Sequence, residues 1–183
     1  MASVRVTIPS LKRIYARLWQ TLGPQHWWPA QSAFEVMVGA IVTQATNWHN
    51  VERAIAQLKG AGVLSPRALT ALRPTQLQRL IRSAGYFRQK AARLQRFSHW
   101  YLERFGGSIH RMKRMEPRRL RQELLSLSGI GPETADSMVL YAAGHPMFVV
   151  DAYTRRIFSR HDLLDGDAPY ETIQRFAIDR LPE

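Results

Sequence analysis

The 183-residue chain contains no cysteine. Within it, disulfides, zinc–thiolate sites and thiolate-held iron–sulfur clusters are therefore excluded. It also lacks an apolar run of about eighteen residues, so no membrane span is expected. The start of the chain has no continuous apolar segment, so no secretory signal is expected and the chain reads as cytoplasmic. Acidic residues are scarce: 14 Asp and Glu face 26 Lys and Arg, a net charge of +12. Such a surplus repels itself in a compact domain and implies an anionic partner, nucleic acid first and an anionic membrane second. Period-two strand patterns are almost absent, and there is no internal repeat or low-complexity tract.

What is present is helical periodicity, and the class it implies is all-α. Leu11, Ile14, Tyr15, Leu18, Trp19 and Leu22 fall on one apolar stripe, with Ser10 as N-cap and Gly23-Pro24 as the stop. Ser32 and Glu35 form a capping-box pattern that opens residues 34–45, a segment apolar nearly all round and so expected to be a buried central helix. Asn47 caps the next helix, and Pro66, Pro74, Pro117, Pro132 and Pro169 each sit at an expected helix start. Residues 87–104 form a longer helix that Gly106-Gly107 ends. Residues 147–150 are a short extended apolar stretch, followed by a helix from Asp151.

Gly129-Ile130-Gly131 stands between two apolar-periodic helices. Two glycines two apart allow a tight turn whose amides converge, with the next helix start, on one anion. That geometry suits a DNA phosphate and positions without reading sequence. A plain hairpin with capping glycines is the simpler alternative for a bare Gly-x-Gly. The flanking residues add specificity. Leu127-Ser-Gly-Ile-Gly-Pro-Glu-Thr-Ala135, followed by Phe148-Val-Val-Asp-Ala-Tyr-Thr-Arg-Arg156, resembles the signature of the endonuclease III-like glycosylases of the helix-hairpin-helix superfamily. Residues 34–46 and 85–91 match that family in the same order, so the resemblance covers about residues 10–180.

The resemblance implies two helical lobes with a cleft between them. One lobe spans about residues 27–143, with the hairpin at about 120–143; the other pairs residues 1–26 with 144–183. Relatives continue past this point, so the second lobe is expected to be minimal or incomplete at its carboxyl end. The partner implied is double-stranded DNA, met by a monomer, with no membrane. The resemblance places the catalytic carboxylate at Asp151, which by itself is equally a good N-cap. A carboxylate suits cleavage of a glycosidic bond, where the sugar gains oxocarbenium character.

Two departures from the family pattern matter. Members that also cut the strand carry a Schiff-base lysine where this chain has Glu133, and a carboxylate is no amine nucleophile. A monofunctional enzyme that leaves an abasic site is expected. The four-cysteine cluster of many relatives is not expected either, nor any other cofactor or metal. Trp27-Trp28-Pro29 and Trp48 resemble the 3-methyladenine branch of the family, whose pocket positions carry over to Trp27, Trp28 and Trp48. Aromatic faces fit a flipped cationic purine, although stapling neighbouring helices is the commoner use of tryptophan. Gln44 matches the residue that fills the gap left by the flipped base, and Tyr86 the wedge that enters the stack, or else a turn residue after Gly85. Gly129, Ile130, Gly131, Glu133 and Thr134 complete the implied DNA contacts. Two basic runs flank them, Arg82, Arg88, Lys90, Arg93 and Arg96, then Arg111, Lys113, Arg114, Arg118, Arg119 and Arg121, and both are expected to face phosphates. Other glycosylases or lyases of this family, acting on mismatched or oxidised bases, remain open, as does a non-catalytic DNA-binding module.

Overall fold

The computed structural model describes residues 10–25 and 27–181. Its described residues are helical, with no strand among them. The helices start where capping chemistry places them. Ser10, Ser32, Asn47 and Ser65 each accept a hydrogen bond from the backbone N–H three residues on. These open α1 (Leu11–Leu22), α2 (Ala33–Val42), α3 (Trp48–Gly60) and α4 (Pro66–Ala71). Then come α5 (Pro74–Leu80), a 3-10 turn (Arg82–Ala84), α6 (Phe87–Phe105), α7 (Ile109–Lys113) and α8 (Pro117–Leu125). After the hairpin follow α9 (Pro132–Ser137), a π turn (Met138–Ala142), α10 (Ala152–Arg160) and α11 (Tyr170–Ile178).

The chain forms two units. The first is Trp28–Met147 and the second joins Met1–Trp27 with Phe148–Glu183. In the first unit α2 is the buried centre: every residue from Phe34 to Val42 is inside. Leu58, Leu69, Leu77, Leu94, Phe97, Tyr101, Leu120, Leu124 and Val139 pack in the same core. Each such side chain contributes about 1.5–3 kcal/mol by leaving water. The second unit has a smaller core of Leu11, Val150, Phe158, Ile173 and Ala177.

Three expectations are corrected. The buried helix ends at Val42 rather than residue 45, because residues 43–46 turn out of it and Ala45 takes a positive φ of 50°. The helix that Pro132 opens is unbroken to Ala142 but does not stay α-helical. It passes from α9 into a π turn, where an extra residue per turn is accommodated, and such turns recur at functional sites. The stripe of α1 is not an inner face: Leu11 is buried, but Tyr15, Leu18, Trp19 and Leu22 are exposed. Tyr15 and Trp19 stack on each other instead, 6.2 Å between centroids.

Candidate functional site

In the first unit, Trp28 is held by its backbone and its neighbours. Its φ of 89° is a left-handed conformation that a bulky residue rarely adopts, and it turns the ring onto α2. There the indole lies against Gly39, where a Cβ would come within 3.2 Å of the ring nitrogen. Trp48, the first residue of α3, meets Trp28 edge-on, with centroids 5.9 Å apart and planes at 86°. Tyr141 of the π turn closes the other side, 5.1 Å from Trp28. Sequence reasoning paired Trp28 with Trp48 but missed Tyr141, which the π turn brings to the ring.

Trp28, Pro29, Gly39 and Trp48 line a cavity of about 220 Å³, together with two carboxylates, Glu35 and Glu52. Glu35 is buried, ion-paired to Lys59 at 2.7 Å and bonded to the Gln31 N–H. Glu52 accepts from the Trp48 indole N–H at 3.0 Å. The spacing of Trp48 and Glu52, one helical turn apart, was the available signal for that second carboxylate. Trp27 is exposed.

A second cavity, of about 210 Å³, lies between α2 and α9 and is lined by Ala40, Thr43, Gln44, Ala45, Glu133, Thr134 and Ser137. Gln44 sets its edge. The Gln44 amide nitrogen donates to the Gly129 carbonyl at 3.0 Å and to the Thr134 hydroxyl at 2.9 Å, and Arg93 donates to the Gln44 amide oxygen. Gly129 has a φ of 90°, and a side chain there would run into Arg93. The N–H of Ile130 goes to the Leu127 carbonyl and its side chain is buried, so Ile130 serves the turn itself. Gly131 is the N-cap of α9 and Glu133 is exposed in its first turn. Tyr86 is left-handed too (φ 43°), caps α6, and exposes its ring.

The basic runs depart from expectation. Lys90 is buried, with its ammonium on the carbonyls of Val42 and Ala84 at 2.9 and 2.7 Å. Burial, aided by the charge of Arg93, pulls its pKa down to about 8. Arg96 donates to the Ser128 carbonyl at 3.2 Å. In the later run Arg121 pairs at 2.6 Å with Asp136, which is fully buried. Arg104 and Arg119 both bind Glu123, and their hydrogen bonds hold its carboxyl below the usual range, Arg104 contributing most. Arg111, Lys113, Arg114 and Arg118 stay exposed.

In the second unit, Asp151 is the N-cap of α10, accepting from the Thr154 N–H at 2.7 Å. The strand-like approach to it is pinned by α11 and its start: Gln174 donates to the Phe148 carbonyl at 2.7 Å, and the Val150 N–H donates to the Tyr170 hydroxyl at 3.2 Å. Val150 is buried beneath, and Asp151 is half-buried. The carboxylate is therefore placed by hydrogen bonds on both sides of it.

Among the described residues no group of three or more His, Asp or Glu side chains could hold a metal ion. With no cysteine, these 183 residues do not fit a thiolate-held iron–sulfur cluster. No helix among them is long and apolar enough to cross a membrane.

Comparison with known proteins gives these features a family. A provisionally named DNA repair glycosylase of Methanocaldococcus jannaschii is 42% identical over 93% of this chain and 78% of its own length. Endonuclease III of Thermotoga maritima is 31% identical over 76% of this chain and 61% of its own. The crystal structure of H. pylori 3-methyladenine DNA glycosylase bound to 1,N6-ethenoadenine superposes with a TM-score of 0.78 and 26% identity, covering 91% of this chain and 77% of that one. The model of the HhH-GPD superfamily of base excision DNA repair proteins matches residues 38–183, and this chain, a DNA N-glycosylase, belongs to that family.

Proposed function

We propose that the chain is a monofunctional glycosylase that acts as a monomer on double-stranded DNA and hydrolyses the N-glycosidic bond of alkylated purines such as 3-methyladenine, leaving an abasic site. The observation that carries this reading is the aromatic corner of Trp28, Trp48 and Tyr141 beside Glu35 and Glu52. Ring faces attract a cation, and Glu52 at the cavity wall adds to that preference, whereas Glu35 is already neutralised by Lys59, which lines the same cavity. A purine alkylated at N3 or N7 carries that positive charge and is already an activated leaving group. It departs neutral as water adds to the sugar carbon. Asp151 supplies the one anion this needs, stabilising the oxocarbenium character of the sugar or taking a proton from the water. Glu133, where strand-cutting relatives have lysine, leaves no amine to attack the sugar there. Trp27, Trp28 and Trp48 are assigned to the base, and Gln44, Tyr86, Gly129, Gly131, Glu133 and Thr134 to the DNA around it, with Ile130 buried beneath the turn. The H. pylori relative is a 3-methyladenine DNA glycosylase, which supports this choice.

The test is release of free base from methylated duplex DNA, with Asp151→Asn alongside. The parent releases 3-methyladenine, and the variant loses about 10³-fold or more while still binding duplex. An active Asp151→Asn protein would remove Asp151 from the chemistry.

A second reading has its own observation. The cavity at Gln44, Glu133, Thr134 and Ser137 is lined by donors and acceptors, as suits a neutral damaged base, and the Thermotoga maritima relative is an endonuclease III. Borohydride trapping on abasic DNA separates the two. The alkylated-purine reading expects no covalent adduct, and a trapped lysine adduct would favour the lyase.

A further inference from the structure

Three cations of α6 stand three residues apart, Lys90, Arg93 and Arg96, on one broad side of the helix. Each ends on oxygens at or next to a loop. Lys90 holds the Val42 and Ala84 carbonyls, Arg93 the Gln44 amide oxygen, and Arg96 the Ser128 carbonyl. We propose that these three are positioning residues that hold the Gln44 turn, the Tyr86 turn and the hairpin in one register for DNA, and that Lys90 and Arg93 do so in place of contacting phosphates. The proposal rests on the DNA-facing roles assigned above to those three loops.

The geometry at Lys90 is the strongest part. Val42 is the last residue of α2 and Ala84 the last of the 3-10 turn, so both carbonyls are helix-end groups short of donors. One ammonium shared between them fixes their separation. Gln44 lies two residues beyond the first and Tyr86 two beyond the second. With only 1% exposure, Lys90 has no path to a phosphate. A buried ammonium is costly unless its hydrogen bonds are made, and an apolar residue would fill the space at lower cost, so the two carbonyls are what the lysine is there for. Arg93 repeats the logic. Its stem lies under Gly129, and its guanidinium turns the Gln44 amide so that the nitrogen faces the hairpin.

The test uses a duplex with a tetrahydrofuran abasic site and 2-aminopurine opposite it. Affinity is measured against salt concentration, and 2-aminopurine fluorescence reports unstacking. The proteins are the parent, Lys90→Met, Arg93→Gln, and Arg114→Gln as an exposed comparator. A phosphate contact removed lowers the slope of log K against log salt by about one. Lys90→Met and Arg93→Gln should keep the parental slope, lose the unstacking signal and, on methylated duplex, release base about 100-fold more slowly, as expected for a displaced site. Arg114→Gln should lower the slope and keep the signal. Should Lys90→Met fail to fold, as judged by circular dichroism, Arg93→Gln decides alone. A lowered slope with normal unstacking in the folded variants overturns the proposal. A parent that neither binds nor unstacks the duplex overturns the assigned function itself, and the proposal falls with it.

Discussion

The two basic runs look alike in sequence and are used in different ways. In the run on and before α6, Lys90, Arg93 and Arg96 reach backbone and amide oxygens, which are dipoles and do not neutralise them, while Arg82 and Arg88 are exposed. In the run through α8, two arginines meet carboxylates and are neutralised, while Arg111, Lys113, Arg114 and Arg118 stay exposed. The same residue type thus tethers loops in one place, braces the core in another and faces solvent in a third. What decides is the neighbour each helix face meets, and neighbours come from tertiary packing.

The largest effect that would sharpen this comparison is at Arg121. Its partner Asp136 is fully buried, so Arg121→Met takes the guanidinium away from a carboxylate in the core. Breaking such a pair from one side costs about 3 kcal/mol. Urea unfolding should show a lower midpoint at unchanged slope. A variant as stable as the parent would mean that the other partners of Asp136 hold its carboxylate without Arg121.

Next is Gly129→Ala. The residue has a φ of 90° and Arg93 lies where the methyl would go. Strain of this kind costs about 1–3 kcal/mol, part of it relieved as the flexible Arg93 moves aside. Because Arg93 would then let go of Gln44, base release should fall more than stability does. Equal losses of the two would show that Arg93 only packs.

Much of this was legible beforehand, and the failures share a cause. Caps and prolines act locally, so Ser10, Ser32, Asn47 and Pro66 marked their helices correctly. The hairpin glycines and the position of Asp151 before a helix were equally local. Lys90 was misjudged because burial of a lysine depends on two carbonyls 48 and 6 residues away in sequence. Tyr141 was missed because a π turn shifts which residues share a face. The stripe of α1 has a helix period, and the period alone does not say that something covers it.

A smaller effect is expected from the exposed members of the second run. Lys113→Gln and Arg114→Gln should change stability by less than about 0.5 kcal/mol. Each should lower the salt slope of duplex binding by about one if it faces a phosphate. A flat response would leave the exposed residues as solvated surface, and the two runs would then differ less than proposed.

The smallest and most specific effect is in the pH dependence of stability. Lys90 has its pKa pulled down from 10.5 to about 8 by burial. Between those values the unfolded chain binds the proton and the folded protein does not. Raising pH through that window therefore favours folding, and the penalty of the buried charge is present in full only below it. Tyr101 acts the opposite way: burial pushes its pKa up from 10.0 to about 12, so its contribution is lost as pH rises above 10.0. Stability should rise from pH 8 towards 10 and then turn over. In Lys90→Met the rise should vanish and the fall remain, whereas in Tyr101→Phe the rise should remain and the fall weaken. A parental curve flat between pH 8 and 10 would mean that the two carbonyls hold the ammonium tightly enough to offset its burial, and Lys90 would then be a permanent cation like the arginines beside it.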